Sequence, residues 1–149
     1  MEIVVVSDTH GSRDFIEKLT ERHPNANLYL HAGDSELYKE ELAPFRTCKG
    51  NCDYHIDNRF LKIRISDFGI YVFHGDHFYV DDDLLANLAK ENDCSIIIYG
   101  HTHIPYVNYK YGVHILNPGS VTLPRVTKAT YALITFTCLD DIKIEILNY

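Results

Sequence analysis

At 149 residues, with 46% hydrophobic and 23% charged side chains, the chain is long enough to bury a real core as one domain over residues 1–149. A formal net charge of −7 argues against an extended surface for duplex DNA or RNA, and no apolar run approaches the roughly 20 residues of a membrane span. Met1 leads straight into a strand-like run without a signal-peptide pattern, so a cytoplasmic protein is expected, with Cys48, Cys52, Cys94 and Cys138 as reduced thiols.

Glu2–Val6 is continuous and β-branched, as a central strand buried on both faces would be; it delivers Asp8 and His10. Phe15, Ile16 and Leu19 then recur at helical spacing within 14–22, before His23-Pro24. A second strand over 27–31 delivers Asp34. A short helix is expected over 36–43, closed by Pro44, and a third strand over 45–49 delivers Asn51, Cys52 and Asp53. Alternating strands and helices predict an α/β architecture with a largely parallel sheet, its ligands beyond the carboxyl ends of the strands.

The second half reads as richer in hairpins. Residues 59–65 and 70–73 pair through a turn at Asp67-Phe68-Gly69, and the second of these strands delivers His74. Asp81-Asp82-Asp83 caps a helix beginning at Leu84. Ser95-Ile96-Ile97-Ile98-Tyr99 is a buried strand that stops at Gly100 and presents His101 and His103. In extended backbone, side chains two apart leave the same face, so both rings are expected to point into one space. Strands follow over 105–109, 113–116, 131–137 and 142–147. Asn117-Pro118-Gly119-Ser120 makes a turn, and Leu139-Asp140-Asp141 joins the last two strands.

The residues gathered at strand ends are Asp8, His10, Asp34, Asn51, His74, His101 and His103. Two carboxylates, one amide and four imidazoles exceed the three protein ligands of a usual catalytic metal and suit two ions sharing a carboxylate. Nitrogen and oxygen donors favour manganese, zinc, iron or nickel over copper(I) or an iron–sulfur cluster. Two divalent ions against two carboxylates leave excess positive charge for hydroxide and phosphate, which predicts metal-assisted hydrolysis of a small phosphoester.

In this order, Asp8-x-His10, Gly33-Asp34, Gly50-Asn51-x-Asp53, His74-Gly75 and Gly100-His101-Thr102-His103 resemble the calcineurin-like metallophosphoesterases. The length and the Asn117-Pro118-Gly119-Ser120 turn are similar to the small YfcE-type phosphodiesterases. The resemblance implies a four-layer α/β/β/α sandwich of two mixed sheets flanked by helices. It also implies two divalent ions, manganese first, with nickel, zinc, iron or magnesium as alternatives. Asp8, His10 and His103 would hold one, Asn51, His74 and His101 the other, and Asp34 both, so that a metal-bridging hydroxide attacks phosphorus with Asn51 near its oxygens. Asp53 would orient its neighbours. Cys52 stands where many members carry histidine, as it does in the YfcE-type group; a thiol can donate a proton but supplies no imidazolium charge.

His77, Ser120 and Arg125 are candidate substrate contacts. His31 is read as packing or support, and His23, His55 and His114 as structural or solvated. Tyr106, Tyr109 and Tyr111 are candidates for a homo-oligomer contact. A scaffold resembling the small retromer subunit is the alternative reading, opposed by suitable residues at every ligand position.

Overall fold

The structure is a computed structural model that describes residues 1–65, 68–77, 79–126, 128–137 and 141–149. Asp67 of the expected hairpin turn, Phe78, Cys138 and the Leu139-Asp140 part of the last connection lie outside the described residues.

Two five-stranded sheets face each other. The first has the order β10 (Ile142–Asn148), β9 (Thr130–Phe136), β1 (Glu2–Val6), β2 (Leu28–His31) and β3 (Arg46–Thr47). The second has the order β4 (Phe60–Ile65), β5 (Phe68–Phe73), β6 (Ile96–Ile98), β8 (Val113–Pro118) and β7 (Pro105–Lys110). β1 pairs parallel with β2 and antiparallel with β9, placing Val4 between Tyr29 and Leu133. β6 runs parallel to both β5 and β8. Outer pairings are antiparallel apart from β2 with β3. Both sheets are therefore mixed, where strand–helix alternation alone predicts a largely parallel one.

The twofold alternation of strand side chains builds the layers. Ile3 and Val5 of β1 meet Ile70 and Val72 of β5 and Ile96 and Ile98 of β6 between the sheets. Val4 and Val6 face outward onto Phe15 and Leu19 of helix α1 (Asp14–Arg22). Tyr71, Phe73 and Ile97 face outward onto Leu85, Ala86 and Ala89 of α2 (Asp82–Glu91). The result is helix, sheet, sheet, helix, as the resemblance implies. Asp81 caps α2 by accepting from the Leu84 N–H at 2.8 Å.

Differences from the sequence reading cluster between β2 and β4. In place of a helix over 36–43 there is a single 3₁₀ turn, Lys39–Leu42, because Glu36 has a left-handed backbone (φ 56°) and its N–H is taken by Asp53. The third strand shrinks to the two edge residues of β3, since the Phe45 N–H closes the 3₁₀ turn onto Leu42 O. β8 runs on through Pro118. At the other sheet's edge, β7 exposes Tyr106 and Tyr109, with Tyr111 in the following turn. The Tyr106 hydroxyl donates to Asp82 at 2.8 Å, tying that edge to α2. Among the described residues no helix is long and apolar enough to cross a membrane.

Candidate metal centre

The carboxyl ends of β1, β2, β5 and β6 open onto one space, and the turns beyond them carry the candidate ligands. Asp8 (φ 53°), His10 (φ 41°), Asp34 (φ 58°), His101 (φ 67°) and His103 (φ 58°) all have left-handed backbones, which non-glycine residues rarely adopt and which concentrate at functional sites. This corrects the expectation that an extended chain aims residues two apart into one space. Here two left-handed residues in each turn do the aiming, and in the β6 turn the two rings part.

One group is Asp8, His10 and His103. His103 Nε2 lies 3.2 Å from Asp8 Oδ1 and 3.4 Å from His10 Nε2. A second is Asp8, Asp34 and His74, with His74 Nε2 at 3.3 Å from Asp34 Oδ2 and 3.9 Å from Asp8 Oδ1. His101 turns instead to Asn51, its Nδ1 3.1 Å from Asn51 Oδ1, and its ring meets that of His74 edge-on at 5.3 Å. All seven residues read from the strand ends are thus brought together, with Asp8 touching both groups.

Three imidazoles share one construction. His74 Nδ1 faces Ala32 O at 2.8 Å, His103 Nδ1 faces Leu123 O at 2.7 Å, and His10 Nδ1 faces Glu36 Oε1 at 2.6 Å. A carbonyl or carboxylate demands an N–H there, so each ring, when neutral, turns its Nε2 lone pair into the site, the arrangement typical of metal-binding histidines. Among the described residues, Asp8 Oδ1 and His74 Nε2 are buried with no hydrogen-bond partner, which is costly unless a cation completes them. The nitrogen and oxygen donor set fits divalent ions.

The electrostatics follow from this crowding. Burial opposes charge on His74, but the Asp34 carboxylate 3.3 Å from Nε2 and the Asp8 carboxylate outweigh it and raise the ring to about 9. Burial likewise pushes Asp34 upward, yet the adjacent His74 ring and the bond from the Cys52 N–H hold its carboxyl at about 2. Burial and then the Asp34 charge push the Cys52 thiol to about 11.

The surrounding residues fix the turns. Asp53 is buried and accepts four bonds, from the Asp34 and Gly50 N–H groups at Oδ2 and from Ser35 Oγ and the Glu36 N–H at Oδ1, the supporting position the resemblance implies. Gly50 allows this closeness, since a Cβ there would sit 2.1 Å from Asp34 Oδ1 and 2.4 Å from its nitrogen. Cys52 Sγ accepts from the Asn51 side-chain amide at 3.1 Å.

Ser120 is fully buried and its hydroxyl donates to Asp8 O at 2.7 Å. It braces the Asp8 turn and does not reach the open space, which corrects its reading as a substrate contact. Arg125 is exposed, with its N–H on His103 O. His77 lies outside the ligand cluster, beside Arg59. His31 is buried between Thr9 Oγ1 and the Gly33 N–H, a support. His23 bonds Glu2 and Tyr131, and His55 stacks on Tyr38. Sequence reasoning passed over Glu36, whose only signal was a carboxylate two residues beyond Asp34. It also left unassigned Asn117, whose amide donates to Gly100 O and Thr102 Oγ1 and so holds the β6 turn.

Comparison with known proteins agrees. The family model for the calcineurin-like phosphoesterase superfamily domain matches residues 1–138. The chain belongs to that superfamily. It is 34% identical over 143 residues to the probable metallophosphoesterase YsnB of Bacillus subtilis, covering 91% of this chain and 84% of YsnB. It is 24% identical over 155 residues to the phosphodiesterase YfcE of Escherichia coli, covering 84% and 82%. The crystal structure of a predicted phosphoesterase from Streptococcus pneumoniae superposes with a TM-score of 0.85 at 30% identity, over 99% of this chain and 88% of that one. Zinc-bound Vps29 from Entamoeba histolytica gives 0.74 at 23% identity, over 99% of each chain, a likeness of fold.

Proposed function

We propose that this metallophosphoesterase is a binuclear, manganese-preferring phosphodiesterase acting on a small phosphoester. The observation that carries it is the set of three imidazoles, each held at Nδ1 and offering Nε2 to the same space as Asp8 and Asp34. Asp8, His10 and His103 would hold one ion, Asn51, His74 and His101 the other, with Asp34 between them. When bound, two such ions supply Lewis acidity, lowering the pKa of water and offsetting phosphoryl charge.

The chain's own residues do the rest. The Nδ1 anchors and the Asp53 bonds keep the donors preorganised. The Asn51 amide, at the exposed rim of the site, would donate its second N–H to a phosphoryl oxygen, the first being on Cys52 Sγ. Cys52 offers a neutral S–H where a histidine would bring positive charge, which favours esters whose leaving oxygen needs little protonation. Aryl diesters are therefore expected to turn over faster than alkyl ones.

The test is hydrolysis of an aryl phosphodiester beside its monoester, on metal-stripped protein titrated with manganese, nickel, zinc and magnesium. Diester turnover saturating near two ions per chain supports the proposal. Two bound ions with no turnover under any metal would overturn it in favour of a scaffold role.

A further inference from the structure

Beside Asn51 and His74 lies a cavity of about 260 Å³, also lined by Lys49, Arg59, Asp76 and His77. It shares Asn51 and His74 with the candidate metal centre, so the arm of a substrate held at that centre would lie beside it. In a chain of net charge −7, two cationic side chains in one small pocket stand out. The lysine and arginine ion pairs among the described residues involve Arg13, Lys62, Lys110 and Lys143, and neither Lys49 nor Arg59.

The backbone holds the two cations on opposite sides of one loop. The Lys49 N–H donates to Asn58 O at 2.7 Å, closing the loop 50–57 and setting Arg59 next to the start of β4. The Arg59 guanidinium donates to His77 Nε2. That fixes the neutral His77 tautomer with its proton on Nδ1, where Asp76 Oδ2 lies at 3.5 Å. Among the described residues Asp76 is the one carboxylate lining the cavity, and it is turned toward His77. One guanidinium nitrogen serves His77, which leaves further N–H donors of Arg59 and the whole Lys49 ammonium for a ligand. A planar guanidinium fork beside a flexible ammonium suits a carboxylate or phosphate.

Resting on the phosphodiesterase reading, we propose that this pocket is a specificity subsite for a second anionic group, a carboxylate or a phosphate, on the substrate's non-reacting arm. Lys49 and Arg59 bind the anion, and His77 positions Arg59. The pocket thereby selects a small, doubly anionic ester over a simple diester.

The experiment compares three aryl diesters with one leaving group: p-nitrophenyl esters of ethyl, 2-carboxyethyl and 2-phosphonoethyl phosphate, hydrolysed by the metal-loaded protein. At least one anionic ester is expected to exceed the ethyl ester in kcat/KM by about tenfold, the effect of a charge-assisted bond, and the better of the two identifies the anion. In the Lys49→Gln, Arg59→Gln double variant this ratio should fall to near one. Lys143→Gln, on β10 at the edge of its sheet opposite β3, should keep it.

A ratio near one in the wild type, or one that survives the double variant, overturns the subsite. If no ester turns over with any metal, the phosphodiesterase reading falls, and calorimetry judges the pocket separately. Tighter binding of 2-carboxyethylphosphonate or ethane-1,2-diphosphonate than of ethylphosphonate, lost in the double variant, supports the anion site; equal binding of all three overturns it.

Discussion

The turns after β1 and β6 carry the same device, two candidate ligands two residues apart, both with left-handed backbones, and use it differently. The β1 turn keeps Asp8 and His10 in one group. The β6 turn sends His103 to that group and His101 to Asn51 and His74. Their moorings explain the difference. The β1 turn is laced to the β2 turn by bonds from the Asp8, His10 and Gly11 N–H groups to Gly33 O, Asp34 O and Ser35 O, so it continues the parallel ladder. The β6 turn crosses from the other sheet. Its Gly100 presses onto Ser7 and Ala32, and the His101 N–H donates to Asp8 Oδ2 at 3.1 Å. Spacing supplies the ligands, and the contact across the sheets decides which side each one serves.

Removing a candidate ligand outright should have the largest effect. His103→Ala and Asp34→Ala are each expected to lower metal-dependent diester turnover by roughly 10³-fold or more. Equilibrium dialysis should show His103→Ala and His101→Ala each reducing bound metal from two toward one, by loss of different ions. Full activity in either of the first two variants would remove the binuclear assignment.

The moorings can be tested without touching a ligand. A Cβ on Gly100 would lie 2.0 Å from Ser7 Oγ and 2.9 Å from both Ala32 O and Asp8 Oδ2. Gly100→Ala should therefore destabilise by roughly 3 kcal/mol, the upper range for overpacking. Gly11, in the β1 turn, has φ +77° but open space around it, so Gly11→Ala should lose only about 1 kcal/mol of backbone preference. Urea unfolding of the two variants measures this; equal losses would show that close contact across the sheets is not what holds the β6 turn.

Much of this was legible in the chain. Continuous runs such as Val4-Val5-Val6 and Ile96-Ile97-Ile98 announce strands covered on both faces, and those became the central β1 and β6. The ligand types at strand ends named the chemistry, and the fixed order of five motifs named the family. What stayed hidden depends on tertiary contact. Residues 36–43 read as a short helix closed by Pro44, yet Asp53 captures the Glu36 N–H and leaves a single 3₁₀ turn. Glu36 is passed over and Ser120 read as a substrate contact because each acts through a partner distant in sequence, at His10 and Asp8. Local spacing cannot show such pairings.

His31 supports the β1 turn from β2 and gives that side a pH dependence of its own. Its Nδ1 accepts from the Gly33 N–H at 3.1 Å and its Nε2 meets Thr9 Oγ1 at 2.9 Å, so both nitrogens of the neutral ring are used. Burial dominates and lowers its pKa to about 4, against the pull of nearby Asp53 and Asp8. The unfolded ring titrates near 6.5, so the neutral folded form contributes stability that is complete above that value and is lost as pH falls toward 4. Between about pH 7.5 and 5, wild type should lose roughly 2 kcal/mol more than His31→Gln. Other groups titrate alike in both proteins, and parallel pH curves would exclude His31 as their source.

The smallest expected effect separates what backs the two turns' imidazoles. His103 rests on a peptide carbonyl, Leu123 O, whereas His10 rests on the Glu36 carboxylate. A carboxylate behind the ring raises the basicity of the opposite nitrogen, and losing such partners lowers metal affinity by roughly 10–100-fold. Glu36 is 43% exposed, so solvent screening favours the low end of that range. Glu36→Gln keeps a hydrogen-bond acceptor for Nδ1 and removes only the charge; Glu36→Ala removes both. If charge sets the basicity of His10, the two variants should weaken manganese binding to a similar extent, about tenfold, as read by calorimetry. If the carboxylate only orients the ring, Gln should bind as wild type and Ala alone should fall, and the β1 turn would then be backed no differently from the β6 turn.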